Sequence, residues 1–331
     1  MMSNFWKELS KPVFALAPME DVTDTSFREI IEGLSDSQTL NILFTEFTSI
    51  DGMNHPKGKI RVAERLFVSE SEKQLLKKKN FKLVAQIWGN KPELFHKISR
   101  EITEEYDFDG LDINMGCPVK NVVKNGCCSA LIGQPTLAKE IILATKEATH
   151  LPVSVKTRTG IKSHETENWI ANLLETKPAA IILHGRTQKQ QSDGLASWEE
   201  IAKGARIRDQ IGPEISLLGN GDVMSVAHGE ELTAKYDLDG VMVGRGIFHD
   251  PWFFNPVKVS PSVDEKLAQL LLHTKLFEQI WGGKKNFNIL KRFYKIYTND
   301  FPGAARLRAE LMEAKSFGEV YKIVRNKSPE S

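Results

Sequence analysis

Eight short apolar runs recur along the chain, at residues 13–17, 42–44, 83–85, 111–113, 153–155, 180–183, 215–218 and 240–243. They are continuous rather than alternating, as expected of strands in a parallel sheet that is covered on both faces. Helical patterns lie between most of them. Leu94, Ile98 and Ile102 repeat at helical spacing after Pro92, and Leu137 and Ile141 do so after Pro135, with proline in the first turn where its missing N–H costs nothing. Strand–helix alternation repeated eight times predicts a (β/α)8 barrel of the α/β class. The second repeat is the least regular: residues 51–79 are polar and read as a loop insertion.

Such a barrel takes roughly 250 residues, and the chain has 331. The strand signals stop after Pro251-Trp252-Phe253-Phe254, and Pro256 and Pro261 mark a linker. Residues 1–256 are therefore expected to form the barrel and 257–331 a small helical domain. One helix is expected over 264–281, stopped by Gly282-Gly283. A second carries Leu290, Phe293 and Tyr297 on one face, and a third starts beyond Pro302-Gly303.

The net charge of +1 hides an asymmetry. Between Lys275 and Arg308 eight basic residues face only two acidic ones. A basic segment on a near-neutral protein suits a polyanionic partner, although a solvated helix face has the same composition. No apolar run approaches the ~18 residues of a membrane span, and the first eleven residues lack the apolar core of a secretory signal. No membrane association is expected. The three cysteines, Cys117, Cys127 and Cys128, fit neither a disulfide framework nor a zinc site, so no metal is expected and the cytoplasm is the expected compartment. No long apolar stripe is left over for an obligate interface, so a monomer is expected, with no protein partner inferred.

In a barrel of this kind the chemistry sits at the C-terminal ends of the strands. Those ends read Ala17-Pro18-Met19, Gln86, Asn114 with Cys117, Lys156-Thr157-Arg158, His184-Gly185-Arg186-Thr187, Gly219-Asn220-Gly221-Asp222 and Gly244-Arg245-Gly246. The last two are glycine-rich, and glycine lets a backbone approach an anion and present its N–H groups. A phosphate site after strands seven and eight recurs in barrels.

Lys156 lies within a buried strand. It suits a cation beside an electron-rich ring, or an ion pair to Asp112 or Glu46. His184 suits a cofactor contact or a satisfied core histidine. Cys117, on the loop after a strand, reads as a buried hydrophobe, a nucleophile or a general acid. No motif supplies a nucleophile's base, and an ordinary thiol of pKa ~8.5 stays protonated at neutral pH, which favours the acid. Cys127 and Cys128 are assigned no role.

These strand ends, with Val22-Thr23-Asp24, Phe27-Arg28 and Thr45-Glu46-Phe47, resemble the tRNA-dihydrouridine synthase family, in order, from about Val13 to Trp252. The Asn114-Met115-Gly116-Cys117-Pro118 and His184-Gly185-Arg186-Thr187 runs are its most specific signatures. The resemblance implies FMN as cofactor, NADPH as reductant and tRNA as partner. It implies that Cys117 donates a proton to carbon 5 of a uridine while hydride reaches carbon 6. Pro18, Met19, Gln86, Lys156 and His184 would contact FMN, and Asn220, Gly221, Asp222, Gly244 and Arg245 would hold its phosphate. Asn114 and Arg158 would line the substrate side, and the basic tail, with Lys291 and Arg292, would bind tRNA. Two segments depart from the family pattern. Glu20-Asp21 places negative charge near the barrel mouth, and Asn125-Gly126-Cys127-Cys128-Ser129 replaces a segment usually rich in Gly and Ala. A flavin barrel acting on a free pyrimidine, or a silent tRNA-binding module, would share parts of this pattern.

Overall fold

The computed structural model describes residues 4–258 and 260–326. Residues 1–3, 259 and 327–331 of the two expected units lie outside the described residues. Nine parallel strands form one sheet: β1 (Val13–Leu16), β2 (Leu40–Phe44), β3 (Thr48–Ser49), β4 (Lys82–Trp88), β5 (Gly110–Met115), β6 (Val153–Arg158), β7 (Ala180–His184), β8 (Ser216–Asn220) and β9 (Gly240–Val243). β1 pairs with both β2 and β9, and β2 pairs with β4, so eight strands close into the barrel. β3 is a two-residue addition beside the end of β4.

Side chains alternate between the two faces of each strand, and the two faces form different cores. Phe14, Leu16, Leu43, Leu83, Ile113 and Val155 face the surrounding helices. Val13, Ala15, Ile42, Phe44, Val84, Ile182, Leu218 and Met242 form a second cluster in the lumen. A helical turn, Phe5–Glu8, contributes Phe5 and Trp6 to that lumen cluster. Both faces are apolar, which is why the runs in the sequence do not alternate.

The second repeat differs from its expected irregular loop. Residues 50–79 hold short helices at Ile50–Asn54 and Pro56–Val62, a 3-10 turn at Ala63–Leu66 and the helix Glu70–Lys79. The last is mostly charged and has little apolar face, so its periodicity is hidden. A buried ion pair fixes it instead: Arg28 donates through Nε and Nη2 to the two Glu72 carboxylate oxygens, at 2.6 and 2.9 Å. Both side chains are fully buried, and Arg28 also donates to the carbonyls of Thr23 and Phe67.

Beyond the barrel, the helix Val263–Trp281 starts at a Ser262/Glu265 capping box and stops at Gly282. The expected second helix is a 3-10 stretch, Phe287–Phe293, followed by one helical turn, Tyr294–Tyr297, though Leu290, Phe293 and Tyr297 are buried as expected. The helix Ala304–Glu313 follows, with a further helix, Phe317–Arg325, beyond the three expected from the sequence. This region shares its core with the barrel. Phe27, on the helix Thr25–Leu34, stacks on Phe293 at 4.9 Å between ring centres and lies 5.8 Å from the His273 ring. Among the described residues no helix is long and apolar enough to cross a membrane.

Candidate active site

The lumen changes character toward the C-terminal ends of the strands. One inward position above the apolar layer stand Gln86 (after Val84), Lys156 (after Ser154), His184 (after Ile182) and Asn220 (after Leu218), with Asn114 after the inward Asp112. Register places Asn114 beside Lys156, Arg158 beside His184 and His184 beside Asn220. The polar strand ends thus form one ring of side chains at the mouth.

A cavity of about 490 Å³ opens there. Pro18, Met19, Lys156, Arg158, His184, Asn220, Gly221, Asp222, Gly244 and Arg245 all line it. Gln86, Asn114, Cys117, Lys291 and Arg292 are not among its lining residues. A larger cleft, about 900 Å³, lies at the other end, around Lys82, Leu83 and Asp107–Asp109, away from this ring.

Gln86 and Asn114 stand beneath the cavity in a hydrogen-bonded chain that ends at the thiol loop. Asp112 accepts from Ser154 Oγ (2.6 Å) and from Gln86 Nε2 (2.7 Å). Gln86 Oε1 accepts from Asn114 Nδ2 (2.9 Å), and Asn114 Oδ1 accepts from the amides of Gly116 (3.0 Å) and Cys117 (2.9 Å). Burial raises the Asp112 carboxyl to about 6, against the pull of its Ser154 and Gln86 donors. Gln86 and Asn114 therefore brace the backbone of the loop that carries Cys117, a contact the strand-end pattern does not reveal.

The same loop is held from the other side. Arg158 Nε donates to Gly116 O (2.7 Å), and its Nη1 donates to the carbonyls of Thr187 (3.0 Å) and Gln191 (2.8 Å). Arg158 thus lines the cavity while anchoring the thiol loop beside it. Ser129 donates to Cys117 O through both Oγ (2.7 Å) and its amide (3.3 Å). Cys128, to which the sequence assigns no role, lies against the Cys117 thiol. Its S–H lowers the half-buried Cys117 thiol to about 7, outweighing the effect of burial, while burial pushes Cys128 well up.

Lys156 makes neither of its expected ion pairs. Its Nζ donates to Asn220 Oδ1 (3.0 Å), and Asn220 Nδ2 donates to Met242 O. Burial, and then Arg158, lower Lys156 to about 8. Burial and the neighbouring cations hold His184 well below the usual histidine range, so its ring is neutral. Arg186 belongs to the His184-Gly185-Arg186-Thr187 run, which by itself assigns it no role. It is nearly fully buried, reaches His184 Nε2 (3.3 Å) and donates to Gly194 O and to both Asp222 carboxylate oxygens. The Asp222 carboxylate anchors this loop through Arg186 and the Ala196 amide.

The two glycine-rich loops bring their backbone to the wall of the cavity. Gly221 has φ of +125°, and a Cβ there would lie 2.6 Å from Ala196 Cβ and 3.1 Å from the His184 ring. Among the described residues, the amides of Asp222, Val223, Arg245 and Gly246 make no hydrogen bond within the chain.

At the rim, Glu20, Asp21 and Glu46 bring three carboxylates within 4.8 Å of one another. The charge is met by cations. Arg65 Nε donates to Glu20 (2.8 Å), and Lys285 lies 3.5 Å from Glu46 and 3.6 Å from Asp24 while covering the Trp281 ring. Burial still raises Glu46 to about 7. Arg292 donates to Asp21 O (3.0 Å), and its other terminal nitrogen lies 3.6 Å from the Asp21 carboxylate. Two of the tail's basic residues thus face the acidic rim, while Lys275, Lys284 and Lys295 are exposed and Lys291 is half-exposed.

A family model described as dihydrouridine synthase matches residues 15–329. A probable tRNA-dihydrouridine synthase of Staphylococcus aureus (strain MRSA252) is 43% identical over 321 residues, covering 96% of this chain and 94% of that protein. Probable tRNA-dihydrouridine synthase 2 of Bacillus subtilis (strain 168) is 42% identical over 322 residues, covering 97% and 95%. Among solved structures, morphinone reductase is similar in fold, with a TM-score of 0.51 at 10% identity over 76% of this chain and 86% of that one.

Proposed function

Since the chain belongs to the dihydrouridine synthase family, we propose that it reduces selected uridines of tRNA to 5,6-dihydrouridine, with FMN as its flavin and NADPH as reductant. The observation that carries this reading is the placing of Cys117. The thiol stands on a loop pinned by Asn114 beneath and Arg158 beside, at the edge of a cationic cavity.

The residues present fit a flavin phosphate. Four unpaired amides on two glycine loops, with Arg245 alongside, suit a phosphate group. Lys156, anchored by Asn220, and the neutral His184 would stand deeper in the cavity, where a cation favours an anionic ring. When bound, reduced FMN supplies the hydride that reaches carbon 6 of the uracil.

Cys117 supplies the proton for carbon 5. Asn114 holds its backbone, so the thiol meets the base in one orientation. A uracil in folded RNA reaches a barrel mouth only when extruded from its stack. Phosphate contacts supply most of the affinity for such a substrate, and the exposed Lys284 and Lys295 lie close in sequence to Lys285 and Arg292, which meet the rim.

The test is to incubate the purified protein with unmodified tRNA and NADPH and to measure dihydrouridine by mass spectrometry. Product is expected from the wild type and not from Cys117→Ala, which should keep its bound flavin. Full turnover by Cys117→Ala would remove the thiol from the mechanism. A flavin-loaded protein that reduces free pyrimidines and leaves tRNA untouched would replace the substrate assignment.

A further inference from the structure

Cys128 is a buried nucleophile that the proposed reaction does not use. It starts the 3-10 turn Cys128–Gly133 and adopts φ of +53°, a backbone conformation uncommon for a residue with a side chain. In that turn its thiol lies against the Cys117 thiol. The next residue, Ser129, clamps the Cys117 carbonyl with two hydrogen bonds. The two Ser129 bonds thus hold the backbones of the two cysteines together, one thiol half-buried and the other 1% exposed. Cys127 is turned elsewhere, its sulfur 3.6 Å from Asn125 O.

We propose that Cys117 and Cys128 form a redox pair, in which a hydroperoxide oxidises Cys117 and Cys128 resolves it as a reversible disulfide. The roles follow from access and acidity. Cys117 is the more exposed and the more acidic, since the Cys128 S–H favours its thiolate, and thiolates attack peroxide. Its sulfur takes one peroxide oxygen, the O–O bond breaks, and hydroxide leaves to become water. Cys117 is now a sulfenic acid. The Cys128 sulfur attacks it, the S–S bond forms, the S–O bond breaks, and a second water leaves with the Cys128 proton. Two thiols have lost two electrons and one peroxide has become two waters. A dithiol reductant reverses the bond by exchange. Burial keeps Cys128 protonated and shielded, so it acts after Cys117 and not before.

The experiment treats the flavin-loaded protein with a small molar excess of hydrogen peroxide, blocks free thiols under denaturing conditions and maps the peptides by mass. The wild type should give a Cys117–Cys128 cross-link, two hydrogens lighter than the reduced pair, that dithiothreitol reopens. Cys128→Ser, which keeps a hydrogen-bond donor, should instead drive Cys117 to the sulfinic acid, two oxygens heavier, which dithiothreitol does not reverse. Cys127→Ser should cross-link as the wild type does. Wild-type Cys117 passing to the sulfinic acid without a cross-link, or a bond through Cys127, overturns the proposal. Bond formation is read by mass alone. Loss of turnover by the cross-linked protein rests on Cys117 being the proton donor, so the two assignments fail separately.

Discussion

Arg186 donates through one nitrogen to both carboxylate oxygens of Asp222, at 2.8 and 2.6 Å, and this pair joins the loop after β7 to the loop after β8. Burial works against the Asp222 anion, but Arg186 outweighs it and holds the carboxyl below its ordinary range. The same carboxylate accepts the Ala196 amide, and the same guanidinium holds Gly194 O. Arg186→Ala leaves Asp222 with the Ala196 amide and one cation among the described residues, the more exposed Arg245, 3.4 Å away. Breaking a fully buried pair costs about 3–5 kcal/mol; with Asp222 partly solvated the expected loss is about 2 kcal/mol. Urea unfolding checks the stability, and flavin absorbance per mole of protein checks the cradle. An Arg186→Ala protein with both unchanged would show that the ion pair organises neither loop.

Cys117 gives the site a pH signature. A general acid must carry its proton, and the thiol loses it as pH rises through about 7. Oxidation of the pre-reduced flavin by tRNA is therefore expected to be fastest below that value and to fall by about tenfold per pH unit well above it. Cys128→Ala removes the S–H that lowers the thiol, so its break should move toward the ordinary ~8.5. Single-turnover rates across pH read both proteins. A break that stays in place in Cys128→Ala would mean that another group sets it.

Much of this arrangement is legible in the sequence because it rests on strand parity. All eight barrel strands fall on the apolar runs, and the inward residues at their ends, Gln86, Asn114, Lys156, His184 and Asn220, form the ring at the mouth. What is not legible depends on contacts between distant segments. The helix Glu70–Lys79 has too few apolar residues to show a periodic face, and it is held by Arg28, 44 residues before Glu72. Cys128 is brought to Cys117 by a left-handed turn that a Cys-Cys-Ser sequence does not announce. The tail's charge was countable, but not its distribution: Lys285 and Arg292 meet Glu46, Asp24 and Asp21, whose own exposure is invisible in a linear reading.

That distribution separates two neighbouring residues. Lys291 has no anionic partner among the described residues, whereas Arg292 is docked on Asp21. Lys291→Glu is expected to weaken tRNA binding and to reduce the slope of log affinity against log salt by about one, with unfolding unchanged. Arg292→Glu places a fourth carboxylate beside the Glu20, Asp21 and Glu46 cluster and should lower the thermal midpoint as well. Binding titrations at several salt concentrations, with thermal melts of the same proteins, check both. Equal salt slopes for the wild type and Lys291→Glu would remove Lys291 from the RNA surface.

His273 makes the seam between barrel and tail sensitive to acid. Its ring lies among Phe27, Phe293 and Tyr297, its Nδ1 is 3.1 Å from the Tyr297 hydroxyl, and its Nε2 is buried without a partner. Burial lowers it from 6.5 to about 4, a shift that Asp24 opposes only weakly. The unfolded chain therefore binds a proton more readily than the folded one. Stability from this group is complete above the unfolded value and is lost as pH falls from there toward about 4. Between pH 7 and pH 5 the expected loss is about 2 kcal/mol. His273→Gln keeps a side chain able to bond Tyr297 but does not titrate, so it should lose less over the same interval, whatever its stability at pH 7. Denaturant midpoints of both proteins at the two pH values decide it, and equal losses would place the acid-sensitive group elsewhere.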